Sequence, residues 1–223
     1  GHPGIVQCFA LCIHGKVKNG LPRYFAIVME CVAGGTLEQR VAKEGPVAVD
    51  TATRWLREML AGLDFVHGKG IIHNDLKTGN ALLTSADDAD ASVKLTDFGL
   101  SRSLDAARSH VSTVGRGTMI YSSPEKAAQG RSSAAGDMWA LGCMLTEMVT
   151  GAALSTRSQA QNFCGDAAAV RTALSETAAR DPGLGEIAAG LLERTPRARW
   201  TAAVALSKLD ALASGGDRAM VEM

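Results

Sequence analysis

The stretch Ala134–Thr150 reads A-A-G-D-M-W-A-L-G-C-M-L-T-E-M-V-T and is closed by Gly151. Apolar residues lie on nearly every side of it, which marks a helix buried all round rather than one lying on a surface. The rest of the chain has to cover it. Asp137, near its start, is the polar exception. The run Met138–Met148 is too short to span a bilayer and contains Glu147, so this is a core helix and not a membrane segment.

A second stretch carries chemistry. Ile71–Asn80 reads I-I-H-N-D-L-K-T-G-N. A short apolar pair is followed at once by His73, Asp75, Lys77 and Asn80. Downstream, K-L-T-D-F-G-L places a second acid, Asp97, at the end of an apolar strand. The set suits phosphoryl transfer. Asp75 orients a hydroxyl and accepts its proton; the Asn80 amide oxygen and Asp97 hold Mg²⁺, which takes oxygen ligands and bridges phosphates. Lys77 neutralises charge on the transferring group.

His73-Asn74-Asp75-Leu76…Asn80 resembles the catalytic loop of the eukaryotic protein kinases, and Asp97-Phe98-Gly99 resembles their metal-binding motif. Further segments fit. Gly117-Thr118-Met119-Ile120-Tyr121-Ser122-Ser123-Pro124-Glu125 resembles the end of the kinase activation segment, and Asp137-Met138-Trp139-Ala140-Leu141-Gly142-Cys143 resembles the family's buried helix. The resemblance implies an α+β, protein-kinase-like fold: a mostly helical C-terminal lobe plus a remnant of the N-lobe sheet. It divides residues 1–213 into an N-lobe remnant (1–30), a hinge (31–35) and a C-lobe (36–213), with a tail at 214–223.

The resemblance also implies roles. Met29 is the gatekeeper, the Glu30 carbonyl and Val32 amide face the adenine of ATP, and Leu82 floors that pocket. His73 and Phe98 pack rather than react. Asp137 accepts hydrogen bonds from the catalytic-loop backbone near His73. Lys77 and Thr118 follow the serine/threonine pattern, with Thr118 at substrate docking. Glu125 needs a partner if buried, since an unpaired buried carboxylate is costly; Arg199 sits where the family supplies it. The cofactors implied are ATP and Mg²⁺, and the partner is a protein substrate.

Local signals order the remaining chain. Ile5–Ile13 and Arg23–Met29 read as strands, with Asn19-Gly20 as a turn between them. Thr36 is a plausible cap for a helix through about Glu44, and Asp50 for the next, whose stripe of Trp55, Leu56, Met59, Leu60, Leu63 and Val66 is buried. Gly68 and Gly70 end it. Ala81–Thr84 and Ser92–Thr96 read as a small hairpin. Its turn acids, Asp87, Asp88 and Asp90, lack the Gly and later Glu of a calcium loop and read as solvated. Pro124 stops a strand or opens a helix. Asp166–Arg180, Gly185–Arg194 and Thr201–Leu212 read as helices broken by Pro182 and Pro196.

Lys+Arg and Asp+Glu both number 23, so the formal charge is zero, which argues against a nucleic-acid binder. The five cysteines are odd in number and form no C-x-x-C pair, as reduced thiols in an intracellular, cytoplasmic protein would be. Two departures stand out. Asn74 occupies the place where many kinases carry an Arg that pairs with an activation-segment phosphate, so activity independent of phosphorylation at Ser109, Ser112 or Thr113 is expected. There is also no G-x-G-x-x-G and no V-A-I-K-type Lys. On that ground the chain as written reads as a fragment, weak or inactive alone. Two other readings compete: an inactive kinase-like scaffold, and a small-molecule kinase of the aminoglycoside or choline type. Intact Asp75, Asn80 and Asp97 oppose the first; Pro124-Glu125 and Asp137-Met138-Trp139 oppose the second.

Overall fold

The computed structural model describes residues 1–14, 24–98, 102–103, 118–154 and 163–221. β1 (Cys8–His14) and β2 (Tyr24–Met29) pair antiparallel, with Leu11 opposite Ile27. The Asn19-Gly20 turn lies outside the described residues. β1 starts later than Ile5 because the chain before it is engaged elsewhere: Val6 N–H donates to Leu95 O and Leu95 N–H to Gly4 O, both at 2.9 Å. This two-stranded sheet leaves Phe9, Leu11, Ile27, Val28 and Met29 exposed.

α1 (Leu37–Glu44) begins at Thr36 with a full capping box, Thr36 and Gln39 each satisfying the other's backbone N–H. α2 (Val49–His67) is capped by Ala48, not Asp50. The helix begins earlier because Val47 N–H is fixed to Met148 O, and Asp50 falls in the first turn, where it favours the helix dipole. The predicted stripe from Trp55 to Val66 is buried throughout. β3 (Ile71–Ile72) pairs with β6 (Arg102–Ser103); β4 (Ala81–Leu83) pairs with β5 (Val93–Leu95) as the predicted hairpin. Within its turn Asp88 is not simply solvated: it takes Arg40 at 2.5 Å.

α3 (Pro124–Gln129) opens with Pro124 at its first turn and is capped by Ser123. α4 (Ala134–Thr150) has the bounds read from the sequence, with Ser133 as N-cap and Gly151 left-handed at its end. It is buried without interruption from Asp137 to Val149. α2, α5 (Ala167–Arg180) and α6 (Pro182–Leu191) pack against it. α7 (Ala202–Val221) packs on α2. Pro182 lies at the break after α5, as read, and starts α6 three residues ahead of Gly185, with Asp181 accepting from Leu184 N–H as the cap. α7 runs past Leu212 through most of the stretch read as a tail, the backbone carrying on its helical bonding despite the low propensity of Gly215 and Gly216.

Candidate active site

β3 delivers the chain into the loop 73–80, and α4 holds that loop from below. Asp137 accepts from His73 N–H and Asn74 N–H at 2.8 Å each and contacts His67 Nε2 at 2.9 Å. A buried carboxylate that pairs with two backbone amides fixes both peptide planes. His73 is fully buried. Its Nε2 donates to Thr96 O at 2.9 Å, its Nδ1 faces the Asp75 N–H at 3.4 Å, and its ring lies 4.5 Å from that of Phe98. Burial holds its pKa below the usual imidazole value, so the ring is neutral. Both ring nitrogens are thus engaged within the fold.

Asp75, Lys77 and Asn80 form one bonded unit. Asp75 Oδ2 accepts from Lys77 Nζ at 2.9 Å and from Asn80 Nδ2 at 3.3 Å, and Asn80 Nδ2 also reaches Asp75 O at 2.8 Å. Asp75 Oδ1 is buried and accepts no hydrogen bond from any described residue. Thr96 N–H donates to Asn80 O at 3.0 Å, which pins the end of β5, one residue before Asp97, to this loop. Asp97 is left-handed (φ 62°), as is Asn74 (φ 70°); Asp and Asn are among the few residues that tolerate this region.

The segment read as a hinge, residues 31–35, is tied to the same scaffold. Gly34 N–H donates to Leu83 O at 2.8 Å and Leu83 N–H to Gly35 O at 2.9 Å. A Cβ on Gly34 would meet the Leu83 and Ser85 carbonyl oxygens at 2.4 Å, so this approach requires glycine. The Glu30 side chain takes Lys94 Nζ at 2.7 Å and Gln7 N–H at 2.7 Å, and these hold its carboxyl below the usual range. Val32 and Leu82 are half-buried; Met29 is exposed.

The expected Glu125–Arg199 pair is present at 2.8 Å. Thr118 opens a short 3₁₀ turn, Thr118–Tyr121, and its side chain lies outside the described atoms. So do Gly99 and the positions 109, 112 and 113. Reading the sequence missed Lys94, Lys126 and Ser132. It also missed a buried triad: Tyr121 OH donates to Glu147 Oε2 at 2.5 Å, with Thr78 Oγ1 3.0 Å from the phenol oxygen and 3.3 Å from the carboxylate. Burial raises the Glu147 pKa above its ordinary 4.5, against the lowering effect of Tyr121, Leu154 N–H and Thr78.

This triad makes a prediction. A carboxyl with a raised folded pKa contributes stability that is full below 4.5 and lost as pH rises through the folded value. Tyr121→Phe removes a donor from the charged form. The variant should lose about 1–3 kcal/mol at pH 8 and less at pH 5, by urea denaturation. An equal loss at both pH values would show that the carboxylate is not what the phenol supports.

A protein kinase domain model matches residues 1–209. The chain belongs to the protein kinase domain family. The serine/threonine-protein kinase PknL of Mycobacterium tuberculosis is 32% identical over 206 residues, covering 91% of this chain and 50% of that protein. The serine/threonine-protein kinase ATG1b of Arabidopsis thaliana is 38% identical over 151 residues, covering 67% of this kinase chain and 20% of the relative. The chain thus spans half or less of these relatives. The Rad53 kinase domain with SCD2, solved in complex with AMPPNP, matches with a TM-score of 0.66 at 27% identity, over 93% of this chain and 73% of the other. The α+β kinase fold is therefore the fold of this chain. No helix among the described residues is long and apolar enough to cross a membrane.

Proposed function

We propose that this domain serves a protein kinase that transfers the terminal phosphoryl group of ATP to serine and threonine hydroxyls of protein substrates, with Mg²⁺. The observation that carries the reading is the hydrogen-bonded unit Asp75–Lys77–Asn80, with the Asp97 strand bonded to it through Thr96. An orphaned carboxylate oxygen is costly to keep buried. Asp75 Oδ1 is such an atom, and a substrate hydroxyl donating to it relieves the cost. Asp75 then orients the hydroxyl and takes its proton. Lys77, already 2.9 Å from Oδ2, offers positive charge to the phosphoryl oxygens.

The residues present fit Mg²⁺. No group of three or more His, Cys, Asp or Glu clusters among the described residues, as a dedicated all-protein cage would need. Mg²⁺ instead keeps water and phosphate oxygens and takes one or two protein donors. Asn80 spends its N–H groups on Asp75, which leaves its amide oxygen for the cation, and Asp97 supplies the carboxylate. The ion would supply positive charge against the phosphates. The Glu30 carbonyl, the Val32 amide and Leu82 form the adenine side, with Met29 as gatekeeper; Thr118 docks the substrate hydroxyl. All five cysteines are free, which supports a reducing, cytoplasmic compartment.

The test is radiolabelled γ-phosphate transfer by the full-length protein to a casein and histone mixture, followed by phosphoamino-acid analysis. The expected products are phosphoserine and phosphothreonine, lost on chelating Mg²⁺. Phosphotyrosine as the main product would overturn the specificity. Label on choline or an aminoglycoside but not on protein would overturn the reading.

A further inference from the structure

Asn74 directly precedes the proposed base and takes no part in the transfer chemistry, yet its N–H, its carbonyl and its Oδ1 are directed to one region. Its N–H donates to Asp137 at 2.8 Å, its carbonyl accepts from Lys126 Nζ at 2.6 Å, and its Oδ1 accepts from Ser132 Oγ at 2.6 Å. Lys126 and Ser132 belong to the run that joins the substrate-docking segment to α4. That run is stiff: Ser123 caps α3, Gly130 closes it in the left-handed region, Ser133 caps α4, and Arg199 grips Glu125. Beneath the loop lies a cavity of about 20 Å³ bordered by Asn74, Asp75, Ser132 and Asp137. That is room for one water, so the loop can shift or hydrate here once a contact is cut.

Resting on the phosphoryl-transfer reading, we propose that Asn74 is a positioning residue for Asp75. Its side-chain amide, latched to Ser132, and its backbone carbonyl, held by Lys126, keep the base in register with the docking run. No phosphate is needed to make that link. The left-handed backbone alone would be served as well by glycine; the amide oxygen is what the latch adds. A displacement of the base by a fraction of its contact distance is enough to slow transfer, because the reacting atoms must start almost in contact.

The experiment is a double-mutant cycle in the full-length protein. Asn74→Gly keeps the backbone conformation and removes the acceptor; Ser132→Ala removes the donor without touching the loop. Each should lower kcat about tenfold, the worth of one hydrogen bond, and the double variant no further. Nucleotide affinity and the KM for ATP should stay unchanged, Asn74→Asp should recover most of kcat, and phosphatase-treated wild type should keep its activity. Multiplying effects, an unchanged kcat, or loss of activity on phosphatase treatment would overturn the latch. Backbone amide exchange at residues 73–76 separates this from failure of the kinase reading. Should wild type transfer no phosphate, faster exchange in Ser132→Ala still supports the latch, and unchanged exchange rejects it.

Discussion

Asp75→Asn in the full-length protein lowers kcat for protein phosphorylation by about 10²–10⁴-fold, the usual range for a lost general base, while nucleotide affinity holds. Asparagine has nearly the same shape and still accepts from Lys77, but it cannot take a proton. The structure adds a second expectation that a purely structural residue would not meet. Asp75 is buried, with Oδ1 unpaired among the described residues. Replacing a buried, half-satisfied carboxylate with a neutral amide removes an energetic burden. The melting temperature should therefore stay level or rise as activity disappears, the pattern of a site kept at some cost to stability. Measuring kcat, nucleotide affinity by titration calorimetry and Tm on one preparation checks all three. Retained turnover would remove Asp75 as the base. A lower Tm with parallel loss of nucleotide binding would make it a structural carboxylate.

What could be read ahead of the structure follows from how local each signal is. α4 came out with its bounds intact because its apolar surround and its Gly151 terminator lie inside one window. The capping box of α1 is likewise a four-residue pattern. Asp181-Pro182 is a start signal of the same kind, a cap followed by proline, and it places the start of α6 ahead of the Gly185 expected. α2 failed at its first residue because its start is set by Met148, remote in sequence. The same distance hid the site's supports. Lys126 lies 52 residues and Ser132 58 residues from Asn74, and Glu147 lies 69 from Thr78. No spacing rule connects such pairs. Glu125 and Arg199 are 74 residues apart, and they could be paired beforehand only through resemblance to the kinases. The chemistry was legible because Asp75, Lys77 and Asn80 share one loop; what holds that loop was not.

Arg199→Met should be the most destabilising of these substitutions, by about 3–5 kcal/mol, the range for breaking a buried ion pair from one side. Its side chain has no exposed surface, while that of Glu125 is 14% exposed. All its donors are committed: Nη1 and Nη2 grip the two Glu125 oxygens at 2.8 and 3.1 Å, and the rest reach the carbonyls of Glu193, Ala135 and Arg194. Methionine fills similar volume but leaves the Glu125 carboxylate and those carbonyls without their donor. Lysine should not rescue, since an ammonium cannot reproduce the planar two-pronged grip. Adding Glu125→Gln to Arg199→Met should restore part of the loss, because the stranded charge is then gone. The pH dependence has a definite sign. Burial alone would raise the Glu125 pKa, but Arg199, the helix-start backbone and Ser123 together hold it below 4.5. A carboxyl with a lowered folded pKa contributes stability that is full above its unfolded value and lost as pH falls through the folded one. Wild type should therefore lose this contribution in acid, and Arg199→Met should show a shallower acid slope in urea melts between pH 3 and 7. The effect reaches the site as well, because α3 carries Lys126 and the following turn carries Ser132, both bonded to Asn74. Releasing Glu125 loosens the run that positions Asp75, so kcat should fall in the folded fraction too. An Arg199→Met protein with wild-type stability and an unchanged acid slope would mean that the ion pair holds neither the fold nor the base.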